Sequence, residues 1–262
     1  MKNDRHQRLL DLLRQRGEKS VEEFVKELDA SEATIRRDLT MLETSGALIR
    51  TFGGARLKDP PSLTTRQLSE KRKAMGEEKG WIAKKAVQIV EPGMSVALDS
   101  GSTIWRIAEE LKAKAPLDIV TNALPVIEEL GAIEGIHIHC VGGRFNPHNM
   151  DLLGSEAVAA YSAIRVNIAF LGVDSVIPGR GVFANTREDA DLLRAVALCA
   201  DQCVVVADHT KLHARGLFLA VTPEQIHCLI TDNGLPQESL KRLQAEPYRL
   251  IIADEETTQE RR

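Results

Sequence analysis

Beyond Met94, short apolar runs alternate with stretches of helical spacing, a pattern that few architectures satisfy. Met94–Leu98 precedes a helical pattern over 103–113, and Ile119-Val120 precedes another over 125–130. Ile136–Val141 and Val166–Leu171 each lead toward a helical stretch. Cys203–Ala207, Phe218–Val221 and Cys228–Thr231 follow, before a last helix and strand that close near Ala253. Strand-to-helix alternation of this kind predicts an α/β domain with a mainly parallel sheet covered on both faces. No internal repeat or low-complexity tract interrupts it.

Ahead of that pattern lies a segment of different character. The 262 residues are 43% hydrophobic, enough for a sizeable core in one large domain or in a small and a medium one. Lys58-Asp59-Pro60-Pro61-Ser62 breaks regular structure and marks the expected boundary. The predicted organisation is a domain over 1–58, a linker over 59–74, a larger domain over 75–254 and a tail over 255–262. A helix within Glu70–Val90, with Trp81, Ile82, Ala86, Ile89 and Val90 apolar, is expected to dock on the larger domain.

Several classes are excluded at the outset. The four cysteines form no C-x-x-C pair and no ligand-like cluster with histidine, which disfavours zinc and disulfides and fits a reducing cytosol. No apolar run is long enough to span a bilayer, and Met1–Gln7 is too polar for a signal peptide. The expected location is the cytoplasm. His137 and His139 share one face of a strand, but without neighbouring ligands they read as ordinary sheet residues. Neither a metal nor a cofactor is expected.

In the amino-terminal segment, Leu9, Leu10, Leu12 and Leu13 lie at helical spacing, with Gly17 as a C-cap. Ser20-Val21-Glu22-Glu23 reads as a capping box, and Val21, Phe24, Val25 and Leu28 form one apolar stripe behind it. After the turn at Asp29-Ala30, Ser31 caps a third helix that runs to about Ser45 and stops at Gly46. On that helix Ile35, Leu39 and Leu42 face inward, while Ala33, Arg37 and Thr40 point away with Thr34 and Arg36 on the flanks. Two arginines, two hydroxyls and a small residue near the N-terminal half suit a helix entering the major groove. A hairpin over 47–57 would carry Arg50 and Arg56 as a backbone-gripping wing. Residues 1–58 hold 12 Lys and Arg against 10 Asp and Glu, so the placement of the arginines matters more than the net charge. A protein-interaction module with a solvated arginine face is the competing reading.

In the larger domain the polar residues just after each strand are the candidates for ligand binding. Asp99-Ser100-Gly101-Ser102-Thr103 follows the first strand and opens a helix. Gly101, the hydroxyls and the helix N-terminus together would cradle a phosphate, whereas the plain alternative is a capped strand-to-helix turn. The loop has no Gly-Lys-Ser/Thr, so a nucleotide triphosphatase is disfavoured. Thr121-Asn122, Gly142-Gly143-Arg144, Gly172-Val173-Asp174 and Asp208-His209-Thr210-Lys211 sit at further strand ends. Lys211 is the natural second charge for a phosphate, and Asp174 and Asn122 suit sugar hydroxyls. The loop Phe145–Asn149, with His148, is placed to lid such a pocket; His209 and His213 flank Lys211.

Two long motifs carry a family resemblance. Ser31-x-x-Thr34-Ile35-Arg36-Arg37-Asp38-Leu39, then Leu42-Glu43 and Arg50-x-x-Gly53-Gly54-Ala55, closely resembles the winged helix-turn-helix of the DeoR family of bacterial transcriptional regulators. Asp99–Thr103, Thr121-Asn122, Gly142-Gly143, Gly172-x-Asp174, Gly181 with Arg187-Glu188, and Asp208-x-x-Lys211 resemble that family's effector domain, which is related to ribose-5-phosphate isomerase. The resemblance spans about residues 3–253. It implies a repressor of a carbohydrate-utilisation operon, acting as a homo-oligomer, whose affinity for double-stranded operator DNA is set by a phosphorylated sugar. The implied effector residues are Asp99, Ser100, Gly101, Ser102, Thr103, Thr121, Asn122, Gly143, Asp174, Glu188 and Lys211. The alternative is an isomerase-like enzyme with Glu188 as base, but Gly172–Val176 departs from the isomerases' Asp-Gly-Ala-Asp-Glu pattern and Gly179–Val182 is a remnant of their glycine-rich loop.

Overall fold

The computed structural model describes residues 5–6, 8–10, 12–13, 18–44, 48–51, 53–57, 74–212 and 214–255, with backbone alone at 18, 56 and 57. The chain divides into two compact units, Met1–Leu63 and Thr64–Arg262. Gly17, Gly46, the prolines at 60 and 61, His213 and residues 256–262 lie outside the described residues.

In the first unit, residues 5–6, 8–10 and 12–13 are helical, and α1 (Val21–Leu28) and α2 (Glu32–Thr44) follow. The predicted capping box is present: the Glu23 amide donates to Ser20 Oγ at 3.3 Å, and the Ser20 amide donates to Glu23 Oε2 at 2.8 Å. Asp29 adopts a left-handed conformation (φ 46°) that ends α1 and turns the chain into α2. Leu9, Leu13, Val21, Phe24, Ile35, Leu39 and Leu42 form one buried cluster. It contains the inward stripe expected of α2. Strands β2 (Leu48–Thr51) and β3 (Gly54–Leu57) form the expected hairpin. A strand the sequence did not suggest, β1 (Glu18–Ser20), pairs antiparallel with β3, giving the order β1-β3-β2. At Gly54 a Cβ would stand 2.2 Å from the Lys19 carbonyl oxygen, so this pairing needs glycine.

The second unit opens with α3 (Gly76–Ala86), followed by a 3-10 turn over Val87–Ile89. Its centre is a seven-stranded sheet, all of whose pairs are parallel: β4 (Ser95–Leu98), β5 (Leu117–Thr121), β6 (Ile136–Cys140), β9 (Val166–Gly172), β12 (Ala200–Val206), β14 (Cys228–Asp232) and β15 (Arg249–Ala253). The spatial order is β15-β14-β12-β9-β4-β5-β6. Alternate residues of β9 enter two different cores, Ile168 and Phe170 on one face and Ala169 and Leu171 on the other. Both faces are therefore covered, as the near-continuous apolar strands require. One core takes side chains from α3, α4 (Ser102–Leu111) and α5 (Leu124–Leu130), the other from α6 (Ser155–Ser162), α7 (Arg187–Leu198) and α8 (Gln237–Gln244).

Two smaller sheets flank the carboxyl ends of the parallel strands in sequence. The hairpin β7 (Arg144–Asn146) and β8 (Asp151–Leu153) is one. The antiparallel set β10 (Ser175–Ile177), β11 (Gly181–Ala184) and β13 (Phe218–Val221) is the other. Phe218–Val221 is thus a strand as expected, but it leaves the parallel sheet. From β4 the chain steps outward through β5 and β6, then returns to the other side of β4 at β9. The order reverses between β4 and β9, and an open α/β sheet leaves a crevice at such a point.

Candidate nucleic-acid interface and ligand cavity

On α2 the outward residues are free of the core. Ala33, Arg36, Arg37 and Thr40 are exposed and Thr34 is half-buried, on the side opposite Ile35 and Leu39. Ser31 Oγ accepts the Thr34 amide at 3.3 Å and meets Thr34 Oγ1 at 2.8 Å, so these hydroxyls also shape the helix start. Arg36 is held by Glu32 one turn back, at 2.7 Å. Arg50, on β2, reaches across to Thr40 Oγ1 at 3.3 Å, which sets the wing strand against the outward face of α2. The side chain of Arg56 lies outside what is described.

Asp38 follows the two arginines but turns inward and is 1% exposed. Its oxygens accept from Arg5 Nε at 2.5 Å and face His6 Nε2 at 3.0 Å. Burial pushes this carboxyl up, yet the hydrogen bonds and charges of Arg5 and His6 outweigh it and hold it below its ordinary value. Asp38 therefore ties the amino-terminal helix to the back of α2 and orients the face that Arg37 occupies. Sequence spacing placed it in the motif without revealing that role.

In the second unit a cavity of about 160 Å³ lies at the carboxyl ends of β4, β9 and β12. Asp99, Ser100, Gly101, Ser102 and Thr103 from the β4–α4 turn line it, with Asp174 after β9 and Lys211 after β12. Gly101 adopts φ 110° with open space where a Cβ would stand, a backbone conformation natural to glycine. It is also the N-cap of α4, and no side chain caps the amides of that first turn. Backbone donors at the positive end of a ten-residue helix thus border the cavity. Asp208 Oδ1 accepts the Thr210 amide at 3.1 Å, which shapes the turn carrying Lys211.

The structure distributes the other sequence candidates differently. Thr121 and Asn122 are fully buried behind the wall. Thr121 Oγ1 donates to the Leu98 carbonyl at 2.7 Å, and Asn122 Nδ2 donates to the Leu152 carbonyl at 3.3 Å while its Oδ1 accepts from Tyr161 at 3.2 Å. Asn122 thereby holds β8 in position, while Thr121 ties β5 to β4. Gly143 packs where the chain enters β7, with Leu153 against it. Glu188 pairs with Arg144 and is not among the residues around the cavity. Its neighbour Asp189 is, as are Asp151 and Asn149 of the hairpin and Lys79 of α3. His148, in the loop expected to lid the pocket, is exposed, and Asn149 beside it reaches the wall.

Three of these carboxyls influence one another. Burial, reinforced by the nearby Asp151 and Asp189 charges, pushes Asp99 well above the ordinary carboxylate range, against the Ser100 and Gly172 amides that favour its anion. Burial and Asp189 also raise Asp151, against the pull of Ser100 and Asn146. Asp151 Oδ1 is buried without a hydrogen-bond partner. The lining therefore combines the hydroxyls and backbone donors of the β4–α4 turn with the carboxyls of Asp99, Asp151 and Asp189. Lys79, Asn149, Asp151 and Asp189 were not picked out in the sequence, because none directly follows a parallel strand. Among the described residues, no group of histidine, cysteine or acidic side chains could hold a metal ion, and no helix is long and apolar enough to cross a membrane. Cys199, Cys203 and Cys228 are buried, with their thiols pushed up to about 11, 12 and 11, which leaves little reactive thiolate.

The two units match two known domains in the same order. The profile of the DeoR-like helix-turn-helix domain matches residues 5–60, and that of the DeoR C-terminal sensor domain matches residues 75–233. The HTH-type transcriptional regulator UlaR of Escherichia coli O9:H4 (strain HS) is 32% identical over 254 residues, covering 94% of this chain and 97% of that protein. The HTH-type transcriptional repressor GlcR of Bacillus subtilis (strain 168) is 30% identical over 250 residues and covers 95% of each. The HTH-type transcriptional repressor CsqR of Escherichia coli (strain K12) is 28% identical over 255 residues, covering 97% of each. Among solved structures, ribose 5-phosphate isomerase A from Methanocaldococcus jannaschii overlaps 53% of this chain and 55% of its own at a TM-score of 0.40 and 20% identity. With both domain profiles matched in order and the relatives aligned nearly end to end, the chain belongs to the DeoR family of transcriptional regulators.

Proposed function

We propose that this protein is a repressor of a carbohydrate-utilisation operon, and that a phosphorylated sugar bound in the cavity of the second unit sets its affinity for operator DNA. The observation that carries the effector class is the convergence of the uncapped α4 N-terminus, the hydroxyls of Ser100, Ser102 and Thr103, and Lys211 on one cavity wall. The carboxyls of Asp99, Asp151 and Asp189, which line the same cavity, suit the hydroxyls of a polyol. Ligand pockets commonly run from about 300 to 1,000 Å³; one of about 160 Å³ favours a compact phosphate ester over a nucleotide.

The DNA-reading face is formed by Ala33, Thr34, Arg36, Arg37 and Thr40, with Ser31 shaping the helix start and Arg50 and Arg56 gripping the backbone as the wing. The functional boundaries are those expected from the sequence, residues 1–58 for DNA and 75–254 for the effector, with 59–74 joining them. One winged helix reads few base pairs, so the protein acts in the cytoplasm as at least a dimer on repeated half-sites. The effector domain senses rather than catalyses: Glu188, the base an isomerase would need, is paired with Arg144 away from the cavity wall.

The test is the double variant Lys211→Ala, Ser102→Ala in the full chain. Operator binding stays as in the wild type, while the concentration of phosphate ester needed to release DNA rises about tenfold or more, the loss of at least one charge-assisted hydrogen bond. A normal response in this variant would move the phosphate site elsewhere.

A further inference from the structure

We propose that the turn Ala74–Met75, just before α3, is ordered by cavity occupancy, with Lys79 as the tie between ligand and turn. This rests on the phosphate-ester reading of the cavity and adds its regulation. Ala74, Met75 and Lys79 all line the same cavity as Ser102 and Lys211. Lys79 lies in the first turn of α3 and Ala74 and Met75 immediately precede that helix, apart from the strand-end loops that supply Ser102 and Lys211.

Lys79 is an unusual residue to find there. It is 4% exposed, and a lysine is seldom buried unless its ammonium has partners. Lys79 Nζ donates to the Ala74 carbonyl at 2.5 Å, and its backbone amide donates to the Met75 carbonyl at 3.1 Å. The second is the first backbone bond of α3, and the first closes the ammonium back onto the turn that precedes that helix. Met75, the N-cap, sits at φ 55° and ψ 41°, left-handed values that a side-chain-bearing residue seldom adopts. No side chain caps the helix there. The turn is therefore held chiefly from the Lys79 side, and whatever engages that ammonium acts on the turn.

An ammonium has three donors, so one group can hold the Ala74 carbonyl and a phosphate oxygen together. A dianion in the cavity engages Lys79 beside Ser102 and Lys211 and, through the Lys79–Ala74 bond, orders the Ala74–Met75 turn. Lys79 and Lys211 are the basic residues lining the cavity, so a phosphate bound there has these two ammonium groups as its charged partners.

Backbone amide hydrogen exchange on the full chain, with and without saturating inorganic phosphate, tests the inference. Phosphate is expected to slow exchange both at residues 101–105, the first turn of α4, and at residues 76–79. Lys79→Met is expected to weaken phosphate binding in calorimetry by about tenfold or more. At saturating phosphate that variant keeps the response at 101–105 and loses the one at 76–79, and Lys79→Arg retains both. Slowed exchange at 101–105 with none at 76–79 in the wild type overturns the coupling and leaves the phosphate-ester reading standing. No change at either place overturns both. Wild-type phosphate affinity in Lys79→Met removes Lys79 from the site. The wild-type exchange comparison needs no variant, so a misfolded Lys79→Met leaves the test intact.

Discussion

Arg37 and Asp38 are adjacent in sequence and opposite in consequence. Arg37 is exposed on the outward face of α2, whereas Asp38 is buried between Arg5 and His6 on the other. Arg37→Ala is expected to cost about 1–3 kcal/mol of operator affinity and to relax base preference at one position, measured against a panel of single-base operator variants. Arg56→Ala, in the wing, should instead weaken all sequences alike and reduce the salt slope by about 1. Equal losses on specific and random DNA for Arg37→Ala would make it a backbone contact. Asp38 belongs to stability. Its carboxyl is held below the ordinary value, so its contribution is complete above the unfolded-state pKa of about 3.9 and is lost as pH falls through the folded-state value. Asp38→Asn should cost about 2 kcal/mol at neutral pH, with the gap from wild type closing in acid. A gap unchanged by pH would show that packing, and not charge, holds the residue.

At the scale of elements, the sequence was most legible where local physics governs. The Ser20 capping box and the Val21, Phe24 stripe define α1 from eight residues, and the structure contains both. Ser20→Ala is expected to lower the stability of the first unit by about 1 kcal/mol, read as a fall in its thermal midpoint, while the second unit's transition stays in place. Coincident shifts in both transitions would contradict the division into units. Elements defined by distant partners were not legible. Strand β1 has three residues, and only its pairing to β3 makes it a strand. The cavity divides in the same way. Gly101, Ser102 and Lys211 follow strands, where polar loop residues announce themselves. Asp151 reaches the wall through a hairpin held by Asn122, and Lys79 through a helix that precedes the sheet, so neither has a local signal. Glu188 and Asp189 show the limit of resolution. A helix turns by 100° per residue, and a one-residue difference decides which acid faces the cavity.

The molecule as a whole joins a helix-turn-helix domain to a sensor domain. The ligand can shift operator affinity only as far as it prefers one conformation, so a useful switch needs a large affinity ratio between states; a full reversal from 1:99 to 99:1 requires about 10⁴. The proposed binding to repeated half-sites predicts that operators with a single half-site bind far more weakly. In the proposed assignment the phosphate contributes charge, and the polyol's hydroxyls meet the carboxyls of Asp99, Asp151 and Asp189. Parent sugars lacking phosphate should therefore be poor effectors.

The most direct measurement is fluorescence-anisotropy binding of the full chain to the DNA upstream of its own gene, titrated with sugar phosphates and their unphosphorylated parents. The expected result is salt-sensitive, sequence-selective binding that one phosphate ester releases and its parent sugar does not. Specific binding indifferent to every phosphate ester at saturating concentration would contradict the assignment of the cavity as the effector site.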